Sequence, residues 1–302
     1  MTTAKNALIE EAEKLFKVGK HDKAIKQYQM VLASDPKDQR ARLRLAEIFS
    51  KKKDIPSAVK TLLEVAQAYV AGKFQLKAIA VYKNILKLNP SAVEANENLA
   101  RLYADMGMAD DAVHQYQIVA TYYETKGEQS KAVESRRRIA ALCPEEVTGR
   151  IRLAEVLQRE GKDDEAVREY DAVAALARKQ KNKKLLMEIF EKLTNRRPER
   201  IAEAKELIRM YLEQEEWDRA GRKIGQLGTV VEKDAELLEF QILLMERQDQ
   251  WEPAKDKYRA LVGLLVGTGD KKKISEIKKQ VASKYAEDAE FLKELEALSR
   301  LS

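Results

Sequence analysis

The chain has 302 residues, of which 35% are charged and 6% aromatic, and a net charge of +6 from 56 basic and 50 acidic side chains. A hydrophobic share of 44% is ample for a packed interior, so the charge does not signal disorder. Both signs interleave along the chain, which describes an ion-paired, solvated surface rather than the concentrated basic block of a nucleic-acid binder.

Residues 5–38 open the chain as a helical hairpin. Leu8, Ala12, Leu15 and Phe16 form one apolar stripe at helical spacing, Gly19 breaks it, and Ala24, Ile25, Tyr28, Val31 and Leu32 form a second that stops at Asp35-Pro36. From here a period is audible. Pro36, Pro90, Pro144 and Pro198 stand 54 residues apart; Leu45, Leu99, Leu153 and Leu207 keep the same interval, as do Ala58, Ala112, Ala166 and Ala220. A fixed period of tens of residues is the mark of stacked structural units.

Each 54-residue interval has room for three helices. The patterning predicts them at 39–52, 55–71 and 74–88, then at 92–106, 109–126 and 129–142, then at 146–160, 163–180 and 182–195. Lys53-Asp54, Gly72, Gly107, Gly127 and Gly161 supply the turns. Asp54 and Asp110 sit where an N-cap is needed, and Pro56 suits a first helical turn. A two-helix stretch follows at 199–232 and a three-helix stretch at 233–286, with Trp251 and Ala254 each 34 residues after Trp217 and Ala220. Residues 287–300 read as a final capping helix. Strand-like β-branched runs are missing, and about 17 helices account for the chain.

The run from Gly19 through Ala24, Ile25, Tyr28, Val31 and Leu32 to Asp35-Pro36 resembles the second half of a tetratricopeptide repeat. That family places Gly at the turn, small Ala where helix axes approach, an aromatic in mid-helix and Pro at the exit. The resemblance extends over nearly the whole chain. It implies an all-α fold: a right-handed α-solenoid of tetratricopeptide-like hairpins with 54-residue three-helix units and a C-terminal capping helix. Each unit is then one and a half hairpins. The expected organisation is one continuous solenoid over 1–302, divided as 5–38, 39–90, 91–144, 145–198, 199–232, 233–286 and 287–300.

In a hairpin solenoid, successive helices alternate between inner and outer walls. An odd number per unit makes the first helix switch walls from unit to unit, so the surface repeats every 108 residues. Polar positions agree with this: Arg42 and Arg44 match Arg150 and Arg152, whereas the intervening unit has Asn96 and Asn98. If the first hairpin has the usual polarity, these arginines lie on inner helices. Arg42, Arg44, Arg150 and Arg152 are therefore expected to bind the partner, gripping an acidic peptide through bidentate contacts, and Asn98, which stands at the family's Asn-ladder phase, completes the expected partner-binding residues. The competing reading pairs them with neighbouring glutamates such as Glu47 and Glu155.

The basic stretch from Arg178 to Lys184, with Arg136-Arg137-Arg138, Arg196-Arg197 and Lys271-Lys272-Lys273, offers the alternative function of a nucleic-acid-binding repeat protein. No aromatic is interleaved to stack bases, so a solvated face is favoured and nucleic acid is not the expected partner. Gly263, Gly267 and Gly269 followed by Lys271 lack the Gly-Lys-Ser/Thr of a phosphate loop and read as a helix turn. The run Ala220-Gly221…Gly225…Gly228 weakens a helix, serving either a close helix contact, the favoured reading, or a hinge.

His21 and His114 belong to no metal-spaced cluster, and one Cys with two His makes a nucleophile–base pair improbable, so no enzyme activity, cofactor or metal is expected. The family's carboxylate-clamping and Asn-ladder chemistries also lack their residues here. Ala12-Glu13-Lys14 lacks the paired Gly-Asn of the first, and Arg44, Arg152 and Glu206 replace all but Asn98 of the second. Cys143 excludes an internal disulfide, reads as a small core residue and fits a reducing compartment. Met1–Glu11 lacks the apolar core of a secretion signal, and no apolar run reaches transmembrane length, so the expected location is cytoplasmic. The reading is a non-enzymatic scaffold or adaptor holding a segment of a protein partner.

Overall fold

The computed structural model describes residues 2–300, which form 17 α-helices and no strand. They are α1 Thr2–Lys17, α2 His21–Ser34, α3 Gln39–Lys51, α4 Ile55–Ala71, α5 Gln75–Leu88, α6 Val93–Asp105, α7 Ala109–Lys126, α8 Gln129–Leu142 and α9 Val147–Arg159. Then follow α10 Asp163–Lys179, α11 Lys183–Arg196, α12 Ile201–Glu213, α13 Trp217–Leu227, α14 Ala235–Arg247, α15 Trp251–Thr268, α16 Lys271–Lys284 and α17 Ala289–Ser299. A 3₁₀ turn, Gly228–Lys233, joins α13 to α14.

Two compact units divide the chain, one up to Glu169 and one from Tyr170. In the first, Ala12, Ala24, Tyr28, Val31 and Leu45 form the core of α1–α3, and Val65, Tyr82, Ile85, Leu99, Tyr103 and Val119 are buried along α4–α7. In the second, Ile189, Phe190, Leu207, Tyr211, Leu237, Tyr258, Leu261 and Phe291 are buried. Alanines such as Ala58, Ala112, Ala204 and Ala254 are fully buried, so neighbouring helices close on a methyl group.

The backbone keeps time more strictly than the residues do. Helices α3, α6, α9 and α12 begin at Gln39, Val93, Val147 and Ile201, which are equally spaced in the chain. The turn before the next helix always carries one left-handed residue, at Lys53, Gly107, Gly161 and Glu215; the following turn does the same at Lys73, Gly127 and Lys181. Gly takes this conformation without strain, whereas a side chain there costs about 1 kcal/mol. Gly72 is not the left-handed residue of its turn. A Cβ there would meet the Phe74 ring at 2.9 Å, so its small size serves close approach instead.

Acidic or amide side chains cap several helix starts. Asp38 accepts from the N–H groups of Arg40 and Ala41, Asp54 from Ser57, Asn182 from Leu185, Asp234 from Leu237, Asp270 from Lys273 and Asp288 from Phe291. Asp110 does not cap: α7 starts at Ala109, Met108 two residues before Asp110 takes the N-cap position, and Asp110 adds its charge to the first turn. The glycines of α13 are not there for close packing either. A Cβ on Gly225 would meet nothing within 4 Å, and one on Gly221 would make an ordinary 3.8 Å contact with Leu244. Gly228, at φ +54°, ends the helix. Cys143 is half-buried at the C-cap of α8 rather than sealed in the core.

Candidate functional site

From α1 to α9, and again from α11 to α17, each helix packs on the next in sequence, and alternate helices leave grooves floored by the helix between them. Four such grooves are lined by α1/α3, α3/α5, α11/α13 and α14/α16.

The α1/α3 groove, about 300 Å³, has Phe16, Tyr28 and Ile48 as its apolar lining, with Glu13, Lys17 and Arg44 as its polar members. Tyr28, the mid-helix aromatic of α2, is 2% exposed. Burial pushes its phenol pKa up, and the charge of Glu13 adds to the shift. Arg44 is exposed and donates from Nη1 to Glu47 Oε2 at 2.7 Å, a bond that raises its already high pKa and keeps it a fixed cation.

The other expected binding residues each have a local partner. Arg42 is half-buried and reaches across to Glu64 of α4 at 3.3 Å. Arg150 is held between the Pro144 carbonyl at 2.9 Å and Glu169 at 2.7 Å. Asn98 turns its amide back onto the Glu94 carbonyl at 2.9 Å. Arg152 is exposed and stands 3.4 Å from Glu155. Arg42 and Arg150 thus tie a helix to the next one, while Arg44 and Arg152 point outward at one phase of α3 and α9. The grooves themselves, with Tyr28 as a floor, had no signature beyond the core periodicity.

The basic stretches are largely engaged. Arg136 pairs with Glu124 at 2.8 Å, Arg137 with Glu165, Arg138 with Glu134 at 2.9 Å, Arg178 with Glu206 at 2.6 Å, Lys183 with Glu213 at 3.1 Å and Lys273 with Glu239 at 3.0 Å. Among the described residues no group of His, Cys, Asp and Glu is placed to hold a metal ion, and no helix is long and apolar enough to cross a membrane.

The α14/α16 groove, about 530 Å³, differs in sign: Glu236, Glu239 and Glu246 line it, with Lys273 opposite and Phe240, Leu243 and Ile277 between. Glu246 is buried and accepts from Tyr258 Oη at 2.9 Å, from Tyr285 Oη at 3.3 Å and from Lys284. Burial, followed by the charge of Glu246 and its hydrogen bond, pushes Tyr258 far above the usual phenol range and Tyr285 up to about 12. Sequence patterning missed this network, although Glu246 falls on the stripe of Leu238 and Ile242, where a carboxylate is out of place.

Residues 15–74 match the family model of the tetratricopeptide repeat, and this segment runs from the last turn of α1 through α2, α3 and α4. Over that segment the chain is similar to the tetratricopeptide repeat. It is 24% identical over 134 residues to the cattle (Bos taurus) DnaJ homolog subfamily C member 3; the match takes in 44% of this chain and 23% of that protein, so the chain spans under a quarter of that relative's length. Similar solved structures include MamA from Desulfovibrio magneticus RS-1, at 14% identity and a TM-score of 0.23, with 58% of this chain and 96% of that one covered. A thermophilic tetratricopeptide protein of Thermus thermophilus, TTC0263, is 18% identical with a TM-score of 0.20, covering 51% of this chain and 99% of that one.

Proposed function

We propose that the chain is a non-enzymatic, cytoplasmic scaffold that holds an extended segment of a protein partner, and that the α1/α3 groove is one of its seats. The reading draws on the tetratricopeptide character of the helices, since grooves between alternate helices suit an extended chain better than a small substrate. The observation that carries it is Arg44: an exposed guanidinium stands beside a floor of Phe16, Tyr28 and Ile48. Such a site fits a peptide with an apolar anchor flanked by Asp or Glu. Arg152, at the same phase of α9, extends the acidic-segment preference, while Arg42 and Arg150 hold the helices that present these arginines, and Asn98 of α6, turned onto the Glu94 carbonyl, takes no part in the seat.

A peptide array tests this, with apolar anchors flanked by Asp/Glu in one set and by Lys in the other. The acidic set binds the full chain, and Arg44→Glu weakens that binding about ten-fold, the scale of one charge-assisted hydrogen-bonded contact. Equal binding of both sets, or an unchanged affinity in the variant, would sink the assignment.

A further inference from the structure

Lys223 is a lysine where a helix should carry an apolar residue. It lies on α13 beside Ala220, Ile224 and Leu227, is 6% exposed, and has no carboxylate at its ammonium. Its Nζ donates to the Asn195 Oδ1 at 2.9 Å and the Gln226 Oε1 at 3.1 Å, both uncharged. Burial holds its pKa below the usual lysine value, and the field of Glu191 opposes this only in part. A buried ammonium without a counter-ion costs several kcal/mol, and a Met of similar length would avoid that cost. At the corresponding positions of α4, α7 and α10 stand Thr61, Gln115 and Glu169, none of them a cation.

The ammonium borders a polar cavity of about 100 Å³ shared with Glu191, Tyr211, Arg219 and Arg222. Its one carboxylate is already satisfied: Glu191 accepts from Tyr211 Oη and from Arg219 at 2.7 Å, and Arg219 also bonds Glu216 at 2.6 Å. What remains is the positive charge of Lys223 and of Arg222, an exposed side chain at the rim. Asn195 and Gln226 point carbonyl oxygens at the ammonium, which leaves the NH₂ of each as a donor. The volume admits one phosphate or carboxylate group and is too small for a nucleobase. A larger groove of about 470 Å³, lined by Met187, Glu188 and Gln214, adjoins it through Glu191 and Arg219.

We propose that this cavity between α11 and α13 is an oxyanion site, where Lys223 and Arg222 bind a phosphate or carboxylate group borne by a partner segment lying in the adjoining groove. The scaffold reading above supplies only the carrier of that group; the site itself is tested without any peptide.

The experiment is an NMR titration of the full chain labelled at lysine Cε, first with inorganic phosphate and then with acetate, at fixed ionic strength against chloride. The Lys223 resonance, assigned by its loss in Lys223→Met, shifts saturably with phosphate and not with chloride. Arg222→Gln, a change at an exposed position, weakens binding at least about five-fold, as expected for losing one of two cations. Saturation by acetate as well identifies an acidic side chain as the natural group, and saturation by phosphate alone identifies a phosphorylated one. A Lys223 resonance that follows chloride as it follows phosphate, or an unchanged curve in Arg222→Gln, overturns the proposal.

Discussion

The two units differ in the weight they give to two ways of burying a polar group. In the unit that ends at Glu169, most buried polar side chains are satisfied by the local backbone: Thr61 donates to the Ser57 carbonyl, Ser135 to that of Lys131, and Asn96 to those of Pro90 and Ala92. Arg136, paired with Glu124, is the exception. In the unit that begins at Tyr170, Thr194 donates to the Phe190 carbonyl in the same local way, but the buried charges Glu246 and Lys223 find their partners largely on other helices. A helix that satisfies its own polar groups can pack on any apolar neighbour. One whose buried charge depends on a neighbour is committed to that neighbour, at a cost in stability when the match is removed.

Three experiments press on that contrast. Both tryptophans, Trp217 and Trp251, lie in the second unit, so their fluorescence reports its unfolding. Glu246→Ala leaves two buried phenols and an ammonium without their acceptor, and should lower the urea stability read by tryptophan fluorescence by about 2–3 kcal/mol. Ser135→Ala in the first unit should change the circular-dichroism transition by no more than about 0.5 kcal/mol, because the Lys131 carbonyl keeps its helical bond. If the two variants cost the same, the contrast is wrong.

The second is a pH titration. Tyr285 has an ordinary pKa of 10.0 and a folded value of about 12, and Tyr258 is shifted in the same direction. The unfolded phenols therefore ionise first. Their contribution to stability is fully present below pH 10 and is lost as the pH rises through about 12. Burial shifts other phenols upward too, Tyr28 and Tyr211 among them, so Tyr258 and Tyr285 are picked out by the late phenolate absorbance lost in Tyr258→Phe and Tyr285→Phe, and their ionisation should accompany loss of tryptophan fluorescence. Tyr258 and Tyr285 titrating near 10 in the folded chain would contradict the burial of Glu246 and its partners.

The smallest effect sharpens the comparison at the level of the turn. Lys53→Gly and Glu215→Gly relieve left-handed strain at equivalent turns, one in each unit, and each should stabilise by about 0.5–1 kcal/mol in a urea melt, net of the freedom Gly adds to the unfolded chain. Destabilisation by either would mean that the side chain itself holds the turn.

These turns also show what the sequence can disclose. Helix positions were legible because Leu45, Leu99, Leu153 and Leu207 must face a core and the prolines must end helices. The left-handed residues were half legible: Gly107 and Gly161 announce themselves, whereas Lys53 and Glu215 adopt the same backbone under tertiary compulsion. Asp110 misled because a cap depends on register to within one residue. Of the candidate site, Arg44 was readable as an unburied charge at a repeating phase, but its groove was not, since a groove is made by two helices that are not neighbours in sequence. Lys223 and Glu246 were visible as charges on apolar stripes, and only their partners gave those charges meaning.

Three lysines do a second kind of joining. Lys5 near the start of α1 pairs with Asp38, Lys205 of α12 with Asp234, and Lys255 of α15 with Asp288; each aspartate is the N-cap of the helix two further on. The cap that starts one helix is therefore oriented by a helix already in place. In a nearest-neighbour description of a repeat array, this moves part of each helix's own initiation free energy into the interface term. At those three points the array behaves as a zipper whose next tooth is set by the last, so local fraying there is suppressed until the neighbouring helix leaves with it.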